Sequence, residues 1–190
     1  MAAGAGMRLR PITERWPKPV LPIDGKPVVV SLVHDLAAAG CGPIVVVTGH
    51  LAEQVERLTS PLPYELRFVR QPPGMGSADA AARAGATPPY LVTAADCLYA
   101  EGDLARFVLE GARGDGAVAV HEGLRVPLWL LGEPVARFLD PLPGKAPYEL
   151  QDVFRNAEAA GAVVSAIQVG RIRYLTTPTD LVRENFDYLR

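Results

Sequence analysis

A phosphate group is held by closely approaching backbone N–H groups and fixed cations, and the first 26 residues offer both. The run Ala2-Ala3-Gly4-Ala5-Gly6-Met7-Arg8-Leu9-Arg10-Pro11 sets two glycines one residue apart and follows them with a basic pair. Small residues let main-chain amides come close to an anion, and a nest of such amides needs residues that tolerate positive φ. Taken alone, a Gly-x-Gly is equally an ordinary flexible turn, and Arg8 is equally a solvated surface charge. Trp16-Pro17-Lys18-Pro19 and Gly25-Lys26-Pro27 then hold two of the three lysines in the chain, the third being Lys145. Proline on both sides of Lys18 stiffens the backbone, which limits the entropy lost when the ammonium is set against a phosphate. The glycines, Arg8 and Lys18 together make a phosphate clamp. A Pro-rich loop with incidental bases is the alternative that spacing leaves open.

The elements that must position this clamp follow from hydrophobic patterning. Apolar runs rich in β-branched residues alternate with stretches of helical period, the mark of an α/β fold with a parallel sheet and crossover helices. The expected strands are Ile44 to Thr48, Glu65 to Arg70, Tyr90 to Ala94, Ala117 to His121, Pro127 to Leu131 and Val163 to Val169. Most are continuous apolar runs, as strands covered on both faces should be. The expected helices are Val28 to Ala39, Leu51 to Leu58, Ser77 to Ala84, Asp103 to Glu110, Glu149 to Ala160 and Pro178 to Leu189. Gly40 is placed to end the first of these. Thr177 is a good N-cap for the last, with Pro178 where a missing N–H costs nothing. Ser60 to Pro63 and Pro141 to Pro147 read as loops.

Composition narrows the function classes. A chain of 190 residues and 20.3 kDa scales to about 8,800 Å² folded against about 29,000 Å² unfolded, enough burial for one core and one domain over residues 1–190. Nineteen basic against 21 acidic residues, net charge −2, argue against a general nucleic-acid surface. Cys41 and Cys97 are too few for a disulfide framework and lack metal-ligand spacing, so buried free thiols in a reducing, cytoplasmic setting are expected. The apolar runs fall short of a membrane span, and the Gly-rich start does not read as a signal peptide. Oligomeric state is not legible in the sequence.

From Ala2 to Pro27 the sequence A-A-G-A-G-M-R-L-R-P-I-T-E-R-W-P-K-P-V-L-P-I-D-G-K-P resembles the signature of the sugar-phosphate nucleotidyltransferase family. It is similar in particular to the branch holding glucose-1-phosphate thymidylyltransferases, N-acetylmuramate-1-phosphate uridylyltransferases and inositol-1-phosphate cytidylyltransferases. The resemblance implies a Rossmann-like, mixed and mostly parallel sheet with helices on both faces. Further motifs follow in the family's order. Gln71-Pro72-Pro73-Gly74-Met75-Gly76-Ser77-Ala78-Asp79-Ala80 resembles the segment in which a glutamine and a glycine read the base. Leu91-Val92-Thr93-Ala94-Ala95-Asp96 resembles the strand whose terminal aspartate binds Mg²⁺. Without the resemblance, Gln71 reads as an exposed polar residue after a strand and Asp96 as a residue at the ligand-binding end of a sheet.

The resemblance implies nucleotidyl transfer from a nucleoside triphosphate to a sugar or polyol phosphate, with Mg²⁺ as cofactor and pyrophosphate as product. The implied nucleotide-binding residues are Ala3, Gly4, Ala5, Gly6, Met7, Gln71, Gly76 and Ser77. Arg8 and Lys18 are the implied catalytic cations, and Asp96 is the metal ligand. Three departures stand beside this. Tyr174 occupies the position where the family carries a second metal-binding aspartate. The first strand is truncated, Met1 standing where it should end, with an incorrect start site or a shortened chain expected. No match to the family's sugar-phosphate glutamate and lysine motifs occurs between His121 and Leu150. The departures keep a non-catalytic nucleotide-binding relative in view, and the short chain also admits a transferase of the type that makes a molybdopterin dinucleotide.

Overall fold

The structure is a computed structural model that describes residues 1–142 and 144–186. Before the first helix the chain makes 3-10 turns at Met7–Leu9, Ile12–Glu14 and Lys18–Val20, then a ribbon of β1 (Pro22–Ile23) and β2 (Lys26–Pro27). Next come α1 (Val28–Ala38), β3 (Ile44–Thr48), α2 (Ala52–Thr59), β4 (Leu66–Arg70), α3 (Ser77–Ala84), β5 (Tyr90–Thr93) and β6 (Cys97–Leu98). They are followed by α4 (Asp103–Gly111), β7 (Gly116–His121), β8 (Leu124–Leu131), α5 (Glu133–Ala136) and a 3-10 turn at Arg137–Leu139. The chain continues with α6 (Leu150–Ala159), β9 (Val164–Gln168), β10 (Arg173–Tyr174) and α7 (Pro178–Arg183).

β3 pairs in parallel with β4, and a second sheet runs in the order β5-β8-β7-β9. Residues 1–3 join the two. The Met1 ammonium donates to the Thr93 carbonyl at 2.8 Å, and the Ala95 amide donates to the Met1 carbonyl at 2.8 Å. On the other side the Ala2 amide donates to the Val47 carbonyl at 2.7 Å, and Ala2 forms a parallel bridge with Thr48. The order across the molecule is thus β4, β3, residues 1–3, β5, β8, β7, β9. β8 alone in this series runs against the rest, because β5 and β7 pair with it antiparallel while β7 and β9 pair in parallel. The mixed, mostly parallel sheet is as expected, with residues 1–3 lying between β3 and β5.

Packing on the two faces follows strand alternation. Ala117 and Ala119 of β7 face a core with Leu32 and Leu36 of α1, Val55 of α2 and Phe107 of α4. Val118, between them, faces Ala78 and Ala81 of α3 with Val153 and Phe154 of α6. Helices therefore cover both faces. Phe107 and Phe154 are fully buried, and truncating either to alanine would cost about 3 to 5 kcal/mol. α1 ends as the sequence predicts: Gly40 takes φ 81°, the Cys41 amide donates to Leu36 O at 2.9 Å and the Gly40 amide to Ala37 O at 3.0 Å. Of the cysteines, Cys97 is buried and Cys41 half-buried, both as free thiols.

Beyond the short elements β1, β2, β6, β10 and α5, which no sequence pattern marked, two of the expected elements differ in extent. The strand expected to begin at Pro127 begins at Leu124, because Glu122 and Gly123, both at positive φ, make a two-residue hairpin turn that pairs His121 with Leu124. Pro127 is tolerated there because the register shifts between Val118 and Val120, which frees it from the ladder. The last helix stops at Arg183 rather than Leu189. Asn185 folds back, its side chain donating to Leu181 O and Pro22 O, both at 2.8 Å. Positions 187–189 of that expected helix lie outside the described residues.

Candidate functional site

The loop that leaves residues 1–3 emerges at the carboxyl ends of β3 and β5, the edge where open α/β sheets bind ligands. Gly6 takes φ 62° and ψ 38°, a left-handed conformation that turns the chain into the 3-10 turn Met7–Leu9. A side chain there would meet Thr13 Cγ2 at 2.8 Å. Thr13 instead uses that closeness to brace the loop: its Oγ1 donates to the Gly6 carbonyl at 2.9 Å. His50, just beyond β3, donates from Nε2 to the Thr13 carbonyl at 2.7 Å. Beneath the loop Leu9, Leu21, Ile23, Val28 and Leu175 form their own apolar cluster, with Leu9 and Leu175 fully buried. A glycine turn held by a packed base is a pre-formed cradle rather than a free loop.

The cradle opens onto a cavity of about 350 Å³ lined by Gly4, Gly6, Arg8, Lys18, Asp96 and Thr176, among others. Sequence neighbours of the loop and the distant Asp96 are brought together because residues 1–3 pair directly with β5. Lys18 Nζ forms an ion pair with Asp96 Oδ2, and both side chains are about four-fifths buried, at 18% and 20% exposure. Asp96 also accepts a weak bond from the Cys97 thiol at 3.8 Å. Burial lowers the Met1 ammonium to about 6, against which the Asp96 charge works. Burial pushes the Cys97 thiol well up, with Asp96 adding to it, so this thiol is not a nucleophile near neutral pH.

Ala3, Ala5 and Met7 belong to the same loop, Met7 lining the cavity and standing exposed above it. Gln71, Gly76 and Ser77 are not in the cavity wall. Gln71 is buried at the end of β4, donating from Nε2 to Gly76 O at 2.7 Å and to Asp79 Oδ2 at 2.9 Å. Gly76 lies so close to Tyr148 that a Cβ would meet its carbonyl oxygen at 2.3 Å. Ser77 Oγ accepts from the Leu150 amide at 2.8 Å and donates to Glu149, tying α3 to α6. Gln71 shares the ligand edge with the cradle but is separated from it by β3.

Thr176 is a polar cavity residue that the sequence did not reveal. It arrives from β10, which pairs with β6 so that Tyr174 stands opposite Cys97, one residue past Asp96. No periodic signal marks so short a strand. Tyr174 supplies no carboxylate there, and among the described residues Asp96 is the single acidic side chain in the cavity wall. No group of three or more His, Cys, Asp or Glu side chains among the described residues could hold a metal ion. One carboxylate suits Mg²⁺ only where phosphate oxygens and water complete the shell, since this ion is bound by one or two carboxylates with substrate phosphates. No helix among the described residues is long and apolar enough to cross a membrane.

The sequence model of the family described as the MobA-like NTP transferase domain matches residues 1–179. The chain is 43% identical over 54 residues to a 2-aminoethylphosphonate cytidylyltransferase of Lancefieldella rimae, covering 28% of this chain and 22% of the relative. It is 30% identical over 135 residues to an N-acetylmuramate alpha-1-phosphate uridylyltransferase of Neisseria meningitidis, covering 70% of this chain and 58% of the relative. The matched stretch thus spans less than two thirds of the length of either. Among solved structures, a UDP-glucose pyrophosphorylase of Acinetobacter baumanii superposes with a TM-score of 0.81 at 16% identity, covering 96% of this chain and 89% of that one. At that identity the likeness shows the fold.

Proposed function

The chain belongs to the family of MobA-like NTP transferase domains, and from that premise we propose that it transfers a nucleotidyl group from a nucleoside triphosphate to a sugar or polyol phosphate. The observation that carries this reading is the cavity in which a glycine turn, Arg8, Lys18 and Asp96 converge. The curated relatives, which include a phosphonate cytidylyltransferase and a sugar-phosphate uridylyltransferase, support the same reaction type.

In the proposed reaction an oxygen of the acceptor phosphate forms a bond to the α-phosphorus. The bond from that phosphorus to the bridging oxygen breaks, and pyrophosphate leaves with the electron pair. The attacking phosphate is already anionic, so the protein is asked for positioning and charge compensation rather than for a general base. The amides of residues 3–7 cradle the triphosphate. Arg8 neutralises charge gathering on pyrophosphate, and Lys18 sits between the α-phosphate and the incoming phosphate. Asp96, with phosphate oxygens and water, would hold Mg²⁺, which when bound supplies further compensation of phosphate charge. Before substrate enters, Lys18 and Asp96 neutralise each other; phosphate draws the ammonium away and leaves the carboxylate for a cation. Gln71 and Gly76 read the base from the neighbouring strand end, with Ser77 fixing the start of α3 beside them.

One observation favours a second reading. Tyr174 beside β6 brings no second carboxylate to Asp96, which suits a protein that binds nucleotide without turning it over. Incubation with Mg²⁺, each common nucleoside triphosphate and a panel of sugar and inositol 1-phosphates, with products separated by anion exchange, decides between them. A nucleoside diphosphate sugar or polyol formed with one donor supports transfer. Nucleotide binding without product in any pairing supports the second reading.

A further inference from the structure

Gln71 is fixed in one orientation by two groups that can only accept. Its Nε2 lies 2.7 Å from the Gly76 carbonyl and 2.9 Å from Asp79 Oδ2. A carbonyl and a carboxylate offer no hydrogen, so both contacts must be made by the amide NH₂, and the reversed amide would set its oxygen against two acceptors. Asp79 is itself pinned. It is buried on the first turn of α3, and Arg83, one turn on, donates from Nε to the same Oδ2 at 2.7 Å. Both amide hydrogens of Gln71 are therefore consumed inside the protein. The sole buried side-chain polar atom without a partner among the described residues is Gln54 Oε1, so the unbonded Gln71 Oε1 reaches the surface.

We propose that Asp79, held by Arg83, is a positioning residue that makes Gln71 present only its carbonyl oxygen to a bound base. This rests on the reading that the sheet edge binds a nucleoside triphosphate. The strand order puts Gln71 two strands from residues 1–3, about 10 Å along that edge, with the phosphate cradle at the other end. An amide free to turn could donate to a bare ring nitrogen or accept from a protonated one. Set against ring N3 the locked amide can only accept, so there it favours uracil, whose N3 carries a hydrogen, over cytosine, whose N3 does not. Leaving a buried donor or acceptor facing its own kind is what makes such discrimination steep.

The test is titration calorimetry of the full chain with UTP and with CTP, read as the ratio of the two Kd values. The native chain is expected to bind UTP at least tenfold more tightly. Asp79→Ala frees one amide hydrogen and should bring the ratio to within about threefold of unity. Asp79→Asn keeps an oxygen that can accept from Gln71 and should restore the native ratio, which a merely structural role for Asp79 would not predict. Arg83→Ala, at an exposed position, should lower the ratio by a smaller factor and carries the test alone if Asp79→Ala does not fold. A native ratio near unity or favouring CTP overturns the proposal, as does a native ratio preserved in both Asp79→Ala and Arg83→Ala. Failure of the native chain to bind UTP and CTP while another common nucleoside triphosphate binds overturns this proposal alone, and failure to bind any of them overturns the nucleotide reading itself.

Discussion

Adding a single methyl group at Gly6 or at Gly4 should have very different consequences, although the two glycines are one residue apart. At Gly6 an L-residue must hold φ 62°, a left-handed conformation costing about 1 to 2 kcal/mol. The new Cβ would also lie 2.8 Å from Thr13 Cγ2 and 3.3 Å from Thr13 Cβ, and Thr13 is buried at 1% exposure. Moving Thr13 breaks its bond to the Gly6 carbonyl, worth about 1 kcal/mol. The sum is about 2 to 3 kcal/mol, and at about 2 to 4 °C per kcal/mol for a domain of this size Gly6→Ala should melt about 4 to 12 °C below the parent. At Gly4 φ is outside the left-handed region and no atom lies within 4 Å of the added carbon. Gly4→Ala should therefore stay within about 0.5 kcal/mol of the parent. Gly4 nonetheless lines the cavity, so both variants should bind nucleoside triphosphate more weakly. Differential scanning calorimetry beside nucleotide titration separates the effects. Equal melting points for the two variants would refute the strain argument, and unchanged nucleotide affinity in Gly4→Ala would remove the loop from the binding site.

Other outcomes follow from the packing beneath the site and at the last helix. Leu175→Ala empties the cluster under the loop, should cost about 2 to 5 kcal/mol by thermal melting, and should weaken nucleotide binding although residue 175 lines no part of the cavity. Thr177 and Asp180 form a capping box at the start of α7, so Thr177→Ala should cost about 1 kcal/mol in the same assay. The Asp180 carboxyl is held below its ordinary value of 3.8: burial pushes it up, but bonds from the Thr177 amide, the Thr177 hydroxyl and the Thr176 amide outweigh this. A folded-state value below the unfolded one stabilises above pH 3.8 and loses that contribution as pH falls through the folded value. Asp180→Asn should therefore melt lower than the parent at pH 7, with the gap narrowing toward pH 3. A gap that widens with acid would contradict the sign.

What the sequence made legible was what local chemistry determines. The β3 run Ile44–Thr48 and the helix Ser77–Ala84 have the predicted bounds, and Thr177 caps α7, because β-branched runs, alanine-rich periods and capping hydroxyls act over a few residues. The clamp of the glycines, Arg8 and Lys18 was legible in the residues themselves, whereas Asp96 joined it only through the resemblance. Nothing in spacing says that residues 1–3 pair with β5 and so bring Asp96, remote in sequence, against Lys18. The hairpin start at Leu124 was missed because Pro127 in a strand looks like a boundary until a register shift accommodates it. Read without the resemblance, Gln71 was an exposed polar residue after its strand; it is buried, because Gly76 and Asp79 together accept from its amide NH₂. Thr176 had no signal at all, lying just beyond a strand only two residues long.

The most direct test of the account is pyrophosphate release by the full chain against Lys18→Ala, with Mg²⁺ and the best donor and acceptor pair, both proteins first shown to be folded by circular dichroism. The account predicts release that needs the acceptor phosphate, matches nucleotidyl product one for one, and falls by at least the roughly 100-fold that loss of a positioned electrostatic group brings. Release that proceeds without acceptor, or a Lys18→Ala rate within a few fold of the parent, would contradict it.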